Sequence, residues 1–187
     1  MTLKVKNIKR IPIMIFIAFL MFGLFVLNGE NAYAATKSKI PNTSVYCDSK
    51  LVDAFKELGF KVKYDKKMEY AGIFSVSKHA IILKRKDKFN TLHEMGHFLS
   101  RLQEGADSTE EFKKIYKLEK KKYSARLKSY VTKSSKEYFA ESFRQYCTWN
   151  SGLKKQRPKT YKYIDKMLKT ISEEDVKNMH DAFSWAW

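Results

Sequence analysis

The sequence predicts an α+β fold, in which a small mixed sheet of about three to four strands is followed by a mainly helical half. Two patterns support this prediction. Between residues 43 and 86, short apolar stretches alternate with polar and turn-forming residues, as in half-buried strands. From residue 87 onward, apolar side chains recur every three or four positions, as on the buried face of a helix.

The first 34 residues have the features of a secretory signal peptide. Four basic residues precede a continuous apolar run over residues 11–27, and Ala32-Tyr33-Ala34 follows as a small-residue cleavage site. The apolar run is close to the lower length limit of a membrane span, so an uncleaved anchor is the alternative. Either outcome exports residues 35–187, and we expect a secreted protein that is extracellular or associated with the cell wall.

The composition is strongly basic, with a formal net charge of +17. Residues 1–34 contain four basic residues and one acidic residue, so residues 35–187 carry +14. Such a charge favours polyanions. For an exported chain without a nucleic-acid motif, we expect contact with an anionic cell wall or membrane surface and no specific nucleic acid. Residues 35–187 are long enough for one domain, and we expect a monomer.

Cys47 and Cys147 leave two outcomes open. Export would permit a disulfide between them, but their spacing does not require one. The alternative is that both are small buried apolar side chains.

The front half of the chain is predicted to be a small α/β unit. Its elements are, in order, a strand over 45–47, a helix over 51–58, and strands over 60–64, 72–76 and 79–84. Asp48 or Ser49 can cap the helix, and Gly59 ends it. The exposed edge of the last strand could pair with an extended substrate through backbone hydrogen bonds.

The second half is predicted to be helical. One helix starts at Asp87 or Asn90, and a second starts at a capping box formed by Ser108 and Glu111. Three helices are predicted after these. The first carries Phe139 to Cys147, the second begins near Pro158, and the third begins at Ser172. We expect the aromatic end, Phe183, Trp185 and Trp187, to pack against the domain, with an exposed patch that contacts wall or lipid as the alternative.

The most specific motif is the H-E-x-x-H sequence His93-Glu94-Met95-Gly96-His97. Residues four apart on a helix lie one turn apart on the same side, so His93 and His97 can bind one metal ion. Nitrogen ligands favour zinc, and a catalytic zinc site has three protein ligands and one open position. Glu94 lies next to both histidines and is the candidate general base. The two remaining histidines, His79 and His180, are placed outside the site.

The third ligand must come from another part of the chain. Glu137 and Glu141 lie one turn apart on a predicted helix, beside a face that carries several aromatic residues. One of them could bind zinc while the other accepts the free N–H of a ligating histidine. Alternatively, Ser134 and Glu137 form a capping box and Glu137 only closes the helix. These patterns alone do not decide between the assignments.

The chain from about Ile81 to Lys166 resembles the catalytic domain shared by anthrax lethal factor and the secreted Pro-Pro endopeptidases. The resemblance rests on the H-E-x-x-H motif, Tyr130, the stretch 137–143 and the stretch 158–161. It implies a zincin-like metallopeptidase fold in one domain over residues 35–187, with an α/β part over about 43–86 and a helical part over about 87–187. It also implies the zinc ligands His93, His97 and Glu137, a supporting role for Glu141, and a catalytic role for Tyr130.

The predicted function is therefore a secreted zinc-dependent endopeptidase that acts on a peptide or protein substrate. Glu94 is expected to act as general base on a water that the metal activates. A preference for sites that contain proline is one expectation from the resemblance. The alternative is a basic exported surface-binding protein or toxin-like factor with a zinc site that is not catalytically active.

Overall fold

A computed structural model of the chain describes residues 36–125 and 127–186. The predicted signal peptide over residues 1–34 lies outside these residues, so the division into a signal peptide and a catalytic domain stays a prediction. Within the described ranges, no helix combines the length and the apolar character that crossing a membrane requires.

The described chain begins with a two-stranded antiparallel sheet. Strand β1 (Lys37–Lys39) pairs with strand β2 (Tyr46–Asp48). Asp48 caps the following helix α1 (Ser49–Glu57), because its side chain accepts a hydrogen bond from the backbone N–H of Leu51. The strand predicted over 45–47 therefore exists, but it belongs to this separate sheet.

A mixed three-stranded sheet follows, as the sequence predicts. Its strands are β3 (Lys61–Tyr64), β4 (Gly72–Ser75) and β5 (Ala80–Leu83), in the spatial order β3-β5-β4. Strand β5 is parallel to β3 and antiparallel to β4.

The prediction that the last strand has an exposed edge is wrong. Strand β5 is the central strand, and β4 is an edge strand of this sheet. The reason is visible in the burial of β5, whose residues Ala80, Ile81 and Leu83 are all fully buried. Such a continuous apolar strand is shielded on both faces and belongs inside a sheet.

The rest of the described chain is helical, as predicted. The helices are α2 (Lys88–Leu102), α3 (Glu110–Glu119), α4 (Lys128–Val131), α5 (Ser135–Thr148), α6 (Asn150–Gln156), α7 (Pro158–Lys169) and α8 (Glu173–Ala182). Three short 3-10 turns cover 106–108, 120–122 and 184–186. The predicted α+β class is thus confirmed.

The helix starts agree with the sequence in most places. Asp87 caps α2, Pro158 occupies the first turn of α7, and Ser172 forms a capping box at the start of α8. The predicted capping box of Ser108 is wrong, because Thr109 caps α3 by accepting a hydrogen bond from the backbone N–H of Phe112. Ser108 ends the preceding 3-10 turn instead, where its hydroxyl donates to Asp107.

A continuous aromatic core joins the sheet to the helices. Phe98 of α2 contacts Phe55 of α1 and Phe60 beside β3, with ring centroids 5.1 and 5.4 Å apart respectively. On the other side, Phe112 of α3 contacts Phe139 of α5 at 5.1 Å. Helix α2 therefore lies between the sheet and the other helices, which fixes its position relative to β4 and α5.

The aromatic end only partly packs against this core. Phe183 is half-buried, and the Arg101 guanidinium lies 5.2 Å from its ring centroid. Trp185 is 70% exposed, so the expectation of packing is wrong for this residue. Trp187 lies outside the described residues.

Both cysteines are free thiols in the structure, with Cys47 buried and Cys147 partly buried. Burial raises the pKa of both thiols. Each therefore fits the interpretation as a small apolar side chain.

Candidate active site

Three motif residues on α2, His93, Glu94 and His97, line a cleft of about 1350 Å³. His93 and His97 are one turn apart, and their ring centroids are separated by 5.1 Å. Both side chains are largely buried, and both rings line the cleft. The helical spacing thus brings the two imidazoles to one place, as the sequence predicts for a pair of ligands.

Helix α5 crosses α2 at very short range because Gly96 has no side chain. A Cβ atom at this position would lie 2.7 Å from the Cα atom of Ala140. The two helices can therefore approach each other closely enough for side chains of α5 to reach the histidines of α2.

Glu137 of α5 contacts both histidines. Its Oε2 atom lies 3.2 Å from Nε2 of His93 and 3.9 Å from Nε2 of His97. Glu137 also takes part in capping α5, but only through its backbone N–H, which donates to Ser134 Oγ. Capping and metal binding are therefore compatible, since they use different atoms of Glu137.

These three residues fit a zinc ion. Their candidate ligand atoms all lie within 4.8 Å of one another. Zinc bonds of about 2.0–2.1 Å in tetrahedral geometry separate ligand atoms by about 3.3 Å, so small side-chain movements would close the site around an ion. Two imidazole nitrogens and one carboxylate oxygen are a donor set typical of catalytic zinc.

Glu141 lies behind His93, on the side opposite Glu137. Its Oε2 atom is 3.6 Å from Nδ1 of His93, the ring nitrogen that faces away from Glu137. The structure therefore places Glu137 between the two histidines and Glu141 where it can orient one of them.

Two residues that the sequence analysis missed hold Glu141 in place. Arg144 binds the Glu141 carboxylate through two nitrogens, and the Tyr123 hydroxyl donates to Glu141 Oε1 at 3.0 Å. Burial opposes ionisation, but the hydrogen bonds from Arg144 and His93 lower the pKa of Glu141 to about 2. The three-residue spacing from Glu141 could have indicated Arg144, whereas Tyr123 comes from a loop whose position only the fold determines.

The buried wall behind Tyr123 is also polar. Arg157 is completely buried, and its guanidinium lies 5.2 Å from the Tyr123 ring centroid and 5.3 Å from that of Tyr138. It donates to Ser142 Oγ at 3.0 Å and also to Gln145. A buried cation that is enclosed in this way fixes the ring of Tyr123 against α5.

Glu94 is buried on the sheet side of the same cleft. Burial raises the pKa of its carboxyl to about 7, although the charge of His93 and a hydrogen bond from the backbone N–H of Phe74 act in the opposite direction. Strand β4 is close here, because a Cβ atom on Gly72 would lie 2.9 Å from Glu94 Oε1. Gly72 and the backbone of Phe74 are thus neighbours of the candidate base that no side-chain pattern revealed.

The two histidines have opposite electrostatic environments. Burial disfavours the charged form of His93, but hydrogen bonds to Glu137 and Glu141 outweigh it and raise its pKa to about 9. Burial, with the neighbouring charge of His93, lowers the pKa of His97 to about 4. The Glu137 carboxylate lies close to both rings and therefore favours a positive charge beside them, which a metal ion can supply.

Tyr130 lies at the edge of the cleft on the short helix α4 and is 44% exposed. Burial of its hydroxyl and hydrogen bonding to Glu137 raise its pKa, so it stays protonated at neutral pH. The Lys133 Nζ atom lies 4.0 Å from its ring centroid. The structure thus brings Tyr130 next to the candidate metal ligands with a hydroxyl that can donate a hydrogen bond.

The two remaining histidines do not line the cleft. His79 lies just before β5, and its ring packs edge-on against Phe60 at 5.6 Å. His180 is on α8, with Nδ1 3.3 Å from the Asp181 carboxylate. Both are outside the group of candidate metal ligands, where the sequence analysis placed them.

Comparisons with known proteins relate the chain to one family and to one solved fold. Residues 60–167 match a family model described as "Anthrax toxin lethal factor, N- and C-terminal domain". Among solved structures, the chain is similar to the Pro-Pro endopeptidase (PPEP-2) from Paenibacillus alvei, with a TM-score of 0.52 and 20% sequence identity over 64% of this chain and 83% of that chain. This similarity confirms the zincin-like α+β fold. No curated protein sequence matches the chain.

Proposed function

Because the chain belongs to the anthrax toxin lethal factor family, we propose that it is a zinc-dependent endopeptidase. The observation that carries the proposal is the group of His93, His97 and Glu137, with ligand atoms within 4.8 Å of one another and the buried carboxyl of Glu94 in the same cleft. Two imidazoles and one carboxylate, beside a candidate base, suit the hydrolysis of a peptide bond.

His93, His97 and Glu137 would hold the zinc ion. When bound, zinc lowers the pKa of water to about 7 and polarises the carbonyl of the bond to be cleaved. The Glu141 carboxylate accepts a hydrogen bond from the Nδ1–H group of His93 and so keeps the ring oriented toward Glu137.

Glu94 acts as the general base. Its carboxyl lies in the same cleft as the candidate ligands, where it can accept a proton from the attacking water and return it to the leaving amine. Its hydrogen bond from the Phe74 backbone holds it on the side of the cleft formed by β4. Tyr130 donates a hydrogen bond to the oxyanion that develops on the substrate carbonyl.

The substrate is a peptide or a protein segment in extended conformation. The cleft is open and is bordered by β4, an edge strand with backbone groups available for pairing. Ile73 and Phe89 are exposed apolar side chains in its lining and suit apolar residues of a substrate. Cleavage at sites that contain proline is part of the proposal, and the similarity in fold to a Pro-Pro endopeptidase supports it.

We also propose that the protein acts outside the cytoplasm, as a monomer. The apolar run and small-residue site within residues 1–34 support export. The net charge of +14 on residues 35–187 supports retention at an anionic wall or membrane surface.

The test compares residues 35–187 of the wild-type protein with the Glu94→Gln variant on a peptide library that includes Pro-Pro sequences. The account predicts cleavage by the wild type and a loss of about 10²–10⁴ in turnover in the variant, because general acid–base catalysis contributes that much. Both proteins should bind zinc equally. Zinc binding without cleavage of any peptide would favour the alternative of a basic surface-binding protein.

A further inference from the structure

A second depression adjoins the active-site cleft at one end of the mixed sheet. It has a volume of about 830 Å³, and its lining includes the basic side chains of Lys66, Lys84, Arg85 and Lys86. This depression is called the basic groove below. None of its basic residues belongs to the candidate zinc site.

The topology of the sheet explains why these cations meet. Strands β3 and β5 are parallel, so their C-terminal ends lie side by side at one end of the sheet, where Tyr64 pairs with Leu83. Lys66 follows β3, and Lys84 begins the segment that follows β5. Two backbone hydrogen bonds hold this end together, from Asp65 N–H to the Leu83 carbonyl and from Lys84 N–H to the Ala71 carbonyl.

The groove carries a strong excess of positive charge. Its lining contains four basic side chains and one carboxylate, that of Glu69. All five residues are exposed, and among the residues that the structure describes none of the four cations forms an ion pair. These cations are therefore available for an anionic partner.

The groove is continuous with the cleft. Ala71 and Asn90 line both, and the next residue along the chain, Gly72, lies against the candidate base Glu94. An extended peptide advances about 3.3 Å per residue, so a chain that lies along β4 past Glu94 reaches the groove within about two to four residues.

We propose that the basic groove binds acidic side chains of the substrate, so that the enzyme selects peptides with Asp or Glu about two to four residues from the scissile bond. This inference rests on the proposed endopeptidase function and specifies its substrate class. An acidic peptide is favoured over a free wall polymer because the groove opens directly into the cleft, at the start of the strand that borders Glu94.

The experiment uses a series of peptides that share one cleaved core sequence. In each peptide, one of the four positions on either side of the scissile bond carries Glu, Gln or Lys. It compares kcat/KM for the wild type, for Arg85→Glu and for a control, Lys78→Glu. Lys78 is an exposed residue in the turn between β4 and β5, at the opposite end of the same sheet, so the control makes the same change in net charge.

The wild type should prefer Glu over Gln on one side of the bond, and the preference should weaken as salt increases. Because attraction is replaced by repulsion, Arg85→Glu should lower kcat/KM about tenfold for the Glu peptides and leave the Gln peptides almost unchanged. Lys78→Glu should retain the wild-type preference. Lys66→Glu provides an independent second variant in the groove with the same expected direction.

Other outcomes separate the inference from the proposed function. Cleavage with equal rates for Glu and Gln peptides, or an equal effect of Arg85→Glu and Lys78→Glu, would overturn the inference alone. A groove variant that cleaves all peptides normally but loses binding to anionic phospholipid vesicles would assign the groove to a membrane surface and likewise overturn it. Failure of the wild type to cleave any peptide would overturn the proposed function together with the inference.

Discussion

The two walls of the cleft differ in the kind of group that they contribute. The helical wall, formed by α2 and α5, supplies buried side chains in a fixed network, in which Glu137 contacts His93 and His97 while Arg144 and Tyr123 hold Glu141. The strand wall, formed by β4, supplies backbone groups and the space left by Gly72, and it leads to an exposed basic groove.

This difference suggests that chemistry and substrate selection lie on separate elements. Side chains of the helical wall are buried and coupled, so changes there should affect zinc binding and turnover. The basic groove beside the start of β4 is exposed, and its four cations form no ion pair within the described residues, so changes in the groove should affect mainly which peptide is bound. Variants on the two walls can therefore test whether catalysis and substrate selection are separate.

The largest effect is expected from the two carboxylates of α5. Glu137→Ala should release zinc and abolish cleavage, because it removes one of three ligands. Glu141→Ala should weaken zinc binding by about 10–100-fold, as is typical when the partner of a ligating histidine is lost. Zinc affinity measured with a competing chelator checks both.

Glu110→Ala is the matched control for these two variants, because Glu110 is an exposed carboxylate on α3 that pairs with Lys113 at 2.9 Å. It should leave zinc affinity unchanged. If Glu141→Ala released zinc more completely than Glu137→Ala, the roles of the two carboxylates would have to be exchanged.

A smaller effect on turnover alone is expected for Tyr130→Phe. Loss of one hydrogen-bond donor to an oxyanion typically costs about 10²–10³ in kcat, while zinc content should stay the same. Tyr161→Phe, on α7 and outside the cleft lining, is the matched control. Equal kcat for the Tyr130 variant and the wild type would exclude the hydroxyl from catalysis.

The smallest of these effects is expected for Gly72→Ala on the strand wall. The added methyl group would lie 2.9 Å from Glu94 Oε1 and 2.8 Å from Leu83 Cδ2, so the carboxylate must move. We expect kcat to fall by about tenfold, because misplacing a catalytic group by about 1 Å can cost up to about 10²-fold. KM and zinc content should change little.

Ser75→Ala is the control variant, because it changes a small side chain at the other end of the same strand, β4. A Gly72→Ala enzyme with normal kcat would show that Glu94 tolerates the displacement. A parallel loss of zinc would show that the two walls are not separable in the way proposed here.

The helical wall could be predicted largely from the sequence. The spacing of His93 and His97 on a helix is a local property, and so is the one-turn separation of Glu137 and Glu141. Which glutamate faces the histidines depends on how α5 crosses α2, a tertiary property that the spacing does not contain. The family resemblance supplied that assignment, and the structure places Glu137 accordingly.

The strand wall was less predictable for a physical reason. Its contributions are a backbone N–H at Phe74 and a missing side chain at Gly72, and neither leaves a periodic pattern. The choice of β4 as an edge strand depends on which strands pair, and strand order is not encoded in local alternation. For the same reason, the proximity of Lys66 and Arg85 follows from the parallel pairing of β3 and β5 and not from a local pattern.

We expect cleavage to require a zinc ion held by His93, His97 and Glu137. The most direct measurement removes metal from residues 35–187 with a chelator and then follows peptide cleavage and bound zinc together during titration with zinc. Without metal we expect no cleavage, and during the titration we expect a linear recovery that saturates at about one zinc ion per chain. Full cleavage by metal-free protein, or saturation of zinc binding without any recovery, would contradict it.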